Sequence, residues 1–203
     1  RTRFTGPAGT VATYTGLFDP VRDLFARTPE AVAAGLKKSH FSYLDRNGRC
    51  PGCEGAGYRT VSLDFLSDVH IPCEQCGGNR YRPEVLACRF REKNIREVLN
   101  MTVDEAALFC AGFRNIVSRL EILQASGLGY LEAGQPLETL SGGESRRLEL
   151  AAELMKPAKG HTLYLIAEPF SGLHPDDFGR LQILFEKLAA QGHEIRVADP
   201  GTM

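Results

Sequence analysis

The chain of 203 residues is 43% hydrophobic and 24% charged, the balance of a globular protein with room for one or two small cores. No apolar run approaches the roughly 18 residues that cross a bilayer and no signal peptide is visible, so the expectation is a cytoplasmic protein without a membrane partner. The net charge of −1 hides an asymmetry: residues 1–96 carry 15 basic against 10 acidic side chains, and the remainder carries 9 against 15. A positive first half suits a polyanionic partner. The chain opens at Arg1 without an initiator methionine and stops at Met203, just past a strand-like run, so it reads as a segment of something longer.

The first chemistry-bearing pattern is Cys50-Pro51-Gly52-Cys53 and Cys73-Glu74-Gln75-Cys76, with nineteen residues between the pairs. This is the spacing of a four-thiolate zinc site, in which each tight turn brings two sulfurs to one tetrahedral ion. A disulfide framework is the competing reading, but nothing else in the sequence looks secreted. Between the pairs, Val61, Leu63 and Phe65 alternate with polar residues, Leu66-Ser67-Asp68 interrupts, and Val69 and Ile71 follow. That predicts a β-hairpin clamped at its base by the metal, within a module spanning about 46–82. Such a hairpin is marginal alone, and metal binding worth on the order of 10–16 kcal/mol decides whether it folds. Basic residues surround it, with Tyr58 and Tyr81 interleaved, and Arg59, Arg80 and Arg82 are the candidates for DNA contact. Glu54, Asp64, Asp68 and Glu74 dilute that charge, and a purely structural staple is the plainer alternative. Cys88 and Cys110 have no ligand-like spacing and are expected as buried thiols.

Further along, Thr102-Val103-Asp104-Glu105 is a capping box opening a helix, and Asn115 to Ala125 places Ile116, Val117, Leu120 and Leu123 on one helical face. Then comes Leu140-Ser141-Gly142-Gly143-Glu144, followed by a helix-forming run to Met155. Two glycines at a helix start let backbone N–H groups approach an anion, and the helix dipole favours it there. Ser141 serves as an N-cap or as a phosphate ligand. Leu163-Tyr164-Leu165-Ile166 suits a buried parallel strand with Glu168 just past its end, and a second amphipathic helix runs from about Asp176 to Ala190. Ligands of open α/β sheets bind at such strand ends.

This second half resembles part of an ABC-type ATPase domain, with Leu140–Glu144 as the signature motif and the Glu168 strand as Walker B. With the cysteine module in front of it, the chain resembles the UvrA family, the damage-recognition ATPases of bacterial nucleotide excision repair. Ala12–Gly16, Val21–Phe25, Gly48–Cys50, Val69–Cys76, Asn79–Tyr81, Ile95–Thr102 and Gly172–His174 also carry the likeness. The resemblance implies an α/β chain: a helical signature domain over residues 1–157 with a zinc-bound hairpin, then part of a P-loop-type nucleotide-binding core over 158–203. It also implies Zn²⁺ on Cys50, Cys53, Cys73 and Cys76. ATP with Mg²⁺ would lie at a composite site facing Ser141, Gly142, Gly143 and Glu144. The implied partners are DNA, a second ABC-type module or a second copy, and UvrB.

Several parts of the ATPase are absent from the sequence. No P-loop occurs, Ala167 stands where the family's Walker B aspartate binds magnesium, and Pro200 stands at the switch histidine. Glu168 remains as the residue to orient an attacking water. The expectation is therefore no turnover by this chain alone, and a signature motif that completes a partner's site. One alternative is a decayed regulatory or scaffold paralogue. The other is a polypeptide-binding zinc module of the DnaJ type, suggested by the Cys50-x2-Cys53-x-Gly55-x-Gly57 form, which the second pair breaks at Arg80.

Overall fold

The computed structural model describes residues 9–63, 66–156, 160–170 and 174–198. Two compact units divide them, one built on Phe18–Asn100 and the other joining Thr10–Leu17 to the chain from Met101 onward. In chain order the first helix, α1 (Val11–Tyr14), belongs to the second unit.

The first unit gathers short elements around an aromatic core. Helices α2 (Phe18–Phe25) and α3 (Pro29–Ala33) are followed by a 3-10 turn at Lys38–Phe41. Strands β1 (Tyr58–Leu63) and β2 (Leu66–Pro72) form the hairpin, and α4 (Pro83–Leu86) and α5 (Ile95–Leu99) close the unit. Phe18, Val21 and Phe25 recur at one face of α2 and are buried, because i, i+3 and i+7 share a helix side. Phe18 meets the Tyr43 ring at 5.2 Å, and Tyr43 meets Tyr81 edge-on at 6.0 Å. Burial holds the Tyr81 hydroxyl well above the ordinary phenol range. Asn94 and Glu97 form a reciprocal capping box at the start of α5.

The hairpin is antiparallel, with Tyr58 opposite Pro72, Arg59 opposite Ile71 and Val61 opposite Val69. Leu63 pairs with Leu66, so the stretch read as an interruption at Leu66–Asp68 is already strand. Asp64 and Phe65 lie outside the described residues.

In the second unit α6 (Val103–Phe109) and α7 (Arg114–Ala125) pack together, and α7 also meets α8 (Gly142–Leu154) and α9 (Pro175–Ala190). The Thr102 capping box forms as the sequence predicts, with Glu105 N–H on Thr102 Oγ1 at 3.2 Å and Thr102 N–H on Glu105 Oε2 at 2.9 Å. Ile116, Leu120 and Leu123 of α7 are buried, and Val117 at the edge of that face is half-buried. Helix α1 is tied in by Val11 N–H on Gln135 O and Ala12 N–H on Ala133 O. Strands β3 (Leu163–Ala167) and β4 (Glu194–Ala198) pair in parallel, with α9 as the connection between them.

The parallel pairing agrees with the sequence, but the burial does not. Leu165 is 75% exposed and Leu163 on the same face is exposed with it, while Val197, paired with Ile166 on the other face, is exposed too. Among the described residues β3 and β4 have only each other as strand partners, and α9 packs against β4. No described helix is long and apolar enough to cross a membrane.

Candidate metal centre and phosphate-facing helix

The fold brings the four paired cysteines to one point. Their sulfurs all lie within 4.8 Å of one another, with Cys50 Sγ 4.0 Å from Cys73 Sγ and Cys53 Sγ 3.7 Å from Cys76 Sγ. A tetrahedron with metal–sulfur bonds of about 2.3 Å has edges of about 3.8 Å, so the spacing and the all-thiol donor set fit a divalent ion of zinc type. Cys50, Cys53 and Cys73 are buried and Cys76 is half-buried, with Ala56 packed beside them.

Each pair sits on a turn that aims backbone N–H groups at sulfur. Gly57 N–H donates to Cys53 Sγ at 3.2 Å, and the Arg80 N–H does the same for Cys76 Sγ. The turns are also stitched crosswise: Cys50 N–H donates to Arg80 O at 2.8 Å, and Cys73 N–H donates to Gly57 O at 2.9 Å. Backbone hydrogen bonds from Cys76 and Gln75 pull the Cys73 thiol down to about 7. Burial pushes Cys53 and Cys76 up. Cys88 and Cys110 are buried and lie outside this cluster, and burial raises the Cys88 thiol.

The three arginines grouped together in the sequence have different surroundings. Arg59 is exposed on β1, opposite Ile71 and on the hairpin face that also carries Val61 and Val69. Arg82 is half-buried, with one guanidinium nitrogen 3.4 Å from Arg46 O. Arg80 is only 5% exposed, with its guanidinium 4.3 Å over the Tyr43 ring and its Nε donating to Gly55 O at 3.0 Å. Its cation faces the inside of the module rather than solvent.

At the other candidate site Ser141 caps α8, and Ser141, Gly142 and Gly143 are all exposed. Glu144 N–H donates to Ser141 Oγ at 3.3 Å, while Ser141 N–H donates to Glu144 Oε2 at 2.6 Å. The second carboxylate oxygen of Glu144 accepts from the Tyr130 hydroxyl at 2.6 Å. Those donors, Tyr130 first, hold the Glu144 carboxyl below the usual carboxylate range. Glu144 is thus folded back onto the cap, which sets its negative charge beside the N-cap at the helix start. Glu144 and Ser145 give their N–H groups to Ser141, which leaves the N–H groups of the exposed Gly142 and Gly143 without an intrahelical acceptor. A Cβ built on Gly142 or Gly143 meets nothing within 4 Å, so this chain's own packing does not require glycine at either position. Tyr130 is a site neighbour that the sequence did not reveal, because it lies in a loop fourteen residues from Glu144.

Glu168 is exposed just beyond β3 in a left-handed backbone conformation, φ +51°, and its N–H extends the strand pairing onto Ala198 O at 2.9 Å. Ala167, the last residue of β3, is exposed and offers only a methyl group. His174 is exposed, and Gly172, Leu173 and Pro200 lie outside the described residues.

No family model matches the chain. It is 46% identical over 193 residues to the UvrABC system protein A of Streptococcus pyogenes and 45% identical over 193 residues to that of Bacillus subtilis. Both matches take in 95% of this chain and 20% of the relative, so the chain spans about a fifth of their length. Among solved structures it is similar to UvrA2 from Deinococcus radiodurans, with a TM-score of 0.80 and 45% identity, over 95% of this chain and 24% of that one. The likeness to UvrA read from the sequence is shown: the chain matches a segment of UvrA proteins nearly end to end.

Proposed function

We propose that this UvrA-like chain is a zinc-bound, DNA-contacting segment of a nucleotide excision repair ATPase that lends its signature helix to a composite ATP site. The observation that carries the reading is the match to UvrA proteins along 95% of the chain, with the cysteine cluster and the Leu140–Glu144 motif both inside it.

In this reading residues 1–157 form the signature domain, with the zinc module at about 46–82, and 158–203 return to the nucleotide-binding core. Cys50, Cys53, Cys73 and Cys76 hold Zn²⁺, which supplies no chemistry beyond fixing the turns that present the hairpin. Arg59 and Arg82 meet the phosphates of DNA, and Arg80 supports them from within. Ser141, Gly142 and Gly143 meet the terminal phosphate of an ATP whose P-loop and Mg²⁺ belong to another module or a second copy. Glu144 holds the cap that aims them. Glu168 orients water in this half's own site, but Ala167 beside it offers no oxygen to a hydrated cation. The chain alone therefore turns over no ATP. The whole protein works in the cytoplasm, with UvrB as a partner.

The test is a purified chain assayed for metal content, DNA binding and turnover. One zinc per chain, salt-sensitive binding to duplex DNA and no ATP hydrolysis are expected. Hydrolysis by the isolated chain, or tight binding to unfolded polypeptide with none to DNA, would overturn the proposal. Ala167 favours one second reading, a regulatory or scaffold paralogue whose parent also fails to hydrolyse ATP at this half.

A further inference from the structure

The two cysteine turns have nearly the same sequence form, Cys50-x2-Cys53-x-Gly55-x-Gly57 and Cys73-x2-Cys76-x-Gly78-x-Arg80, and differ at the last position. The structure makes that last position equivalent in both. Gly57 has φ +87° and Arg80 has φ +70°. Each gives its N–H to the second sulfur of its own turn, and each accepts on its carbonyl the N–H of the first cysteine of the other turn. The pair is related by a local twofold. That backbone conformation suits glycine and is rarely adopted by a residue with a Cβ.

An arginine at a glycine position, held in a strained conformation inside a module, implies that the side chain is needed there. Arg80 reaches back across the twofold. Its Nε donates to Gly55 O on the first turn at 3.0 Å, and its guanidinium lies 4.3 Å over Tyr43. Tyr43 is itself in close contact with that turn, since a Cβ on Gly55 would fall 1.9 Å from Tyr43 O. Among the described residues Arg80 is the one charged side chain in the buried set. A divalent ion on four thiolates leaves a net charge of two minus, and a buried anion of that size calls for nearby positive charge.

We infer that Arg80 is the positioning residue of the four-thiolate centre. Its side chain fixes the first turn against the second, and it puts a buried cation in the same module as the sulfurs. The inference rests on the zinc reading above and deepens it. The lone departure from the repeated turn motif is thus a working part of the site rather than a lapse in it.

The experiment compares the wild-type chain with Arg80→Gly and Arg80→Lys by zinc competition against a chromogenic chelator, and by melting of each chain after zinc is stripped. Failure of the wild type to bind one zinc would sink the zinc reading itself, and with it any role for Arg80. If the wild type binds, Arg80→Gly should weaken zinc binding about 10- to 100-fold, the range for partners that support metal ligands. Arg80→Lys, which keeps the charge without the planar group, should fall between the two. The stripped Arg80→Gly chain should melt no lower than stripped wild type, since the module is already open without its ion. Zinc affinity within twofold of wild type in Arg80→Gly would overturn the inference. So would a loss of stability in the stripped variant matching the loss in the zinc form, because that marks a packing role with no bearing on the metal.

Discussion

Removing zinc should unfold the cysteine module while leaving the helical second unit intact. The hairpin has little to hold it otherwise: Val61, Val69 and Ile71 are all exposed, and the buried cluster at its base consists of Cys50, Cys53 and Cys73 with Ala56 and Cys76 against it. A two-stranded hairpin with so little apolar burial is marginal in water. The linked metal free energy of about 10–16 kcal/mol matches or exceeds the about 5–15 kcal/mol that stabilises a whole domain. Loss of the ion therefore leaves the two turns, whose N–H groups point at sulfur, without a reason to stay closed. The aromatic contacts of Phe18, Tyr43 and Tyr81 do not involve sulfur and persist longer. Hydrogen exchange read by mass spectrometry is the assay, with a chelator and a thiol reductant present. Peptides from 46–82 should lose protection by at least a hundredfold, peptides from α7 should not change, and added zinc should restore the difference. Unchanged exchange over 46–82 in a chain shown to be metal-free would refute the argument. Protection lost only on reduction would instead assign the cysteines to disulfides.

Three further outcomes follow from the geometry. Gly142→Ala should fold with unchanged or slightly raised stability, since a Cβ there meets nothing and alanine is favoured over glycine in a helix by about 1 kcal/mol. The same variant should reduce ATP turnover of an assembly that supplies the opposing P-loop, and full turnover would remove the role given to Ser141–Gly143. Arg59→Ala should weaken duplex DNA binding alike for all sequences and lower the slope of log K against log salt by about 1, whereas an unchanged slope would place the contact elsewhere. Glu144 has a carboxyl lowered on folding by Tyr130 and Ser141. Its contribution is therefore present above the unfolded value of about 4.3 and is lost as pH falls through the lower folded value. Urea stability should accordingly drop more steeply below pH 4.5 in wild type than in Glu144→Gln, and parallel curves would contradict the cap geometry.

Much of this was legible in the sequence because its signals are local. Cysteine spacing, the Thr102 capping box, the Ser141 N-cap and the 3.6-residue period of Ile116, Leu120 and Leu123 each involve residues within one turn or one helix. The exposed face of β3 was not legible, because an apolar run states what a strand would bury and not what lies beside it. Tyr130 was missed for a related reason: its partner Glu144 is fixed by a loop path that has no periodicity. Arg80 is a candidate for DNA contact in the sequence because a charged side chain usually sits at the surface, and only the tertiary stack on Tyr43 shows it buried.

The glycines show where sequence reading reaches its limit. Gly57 and Gly142 look alike in the chain, each standing within or beside a motif. Their physical reasons are opposite. Gly57 is required from within, by φ +87° and by an Arg80 Cγ that a Cβ would meet at 3.0 Å. Among the described residues nothing meets a Cβ on Gly142, so their packing does not require glycine there. A glycine that the fold does not need leaves room for something that approaches from outside, and an arginine in a backbone conformation that suits glycine points to a use for its side chain within the module. The two departures from plain backbone economy thus fall in the two proposed sites. They are separable by experiment, since replacing Gly142 should spare folding and cost turnover, while replacing Arg80 should spare the stripped fold and cost metal.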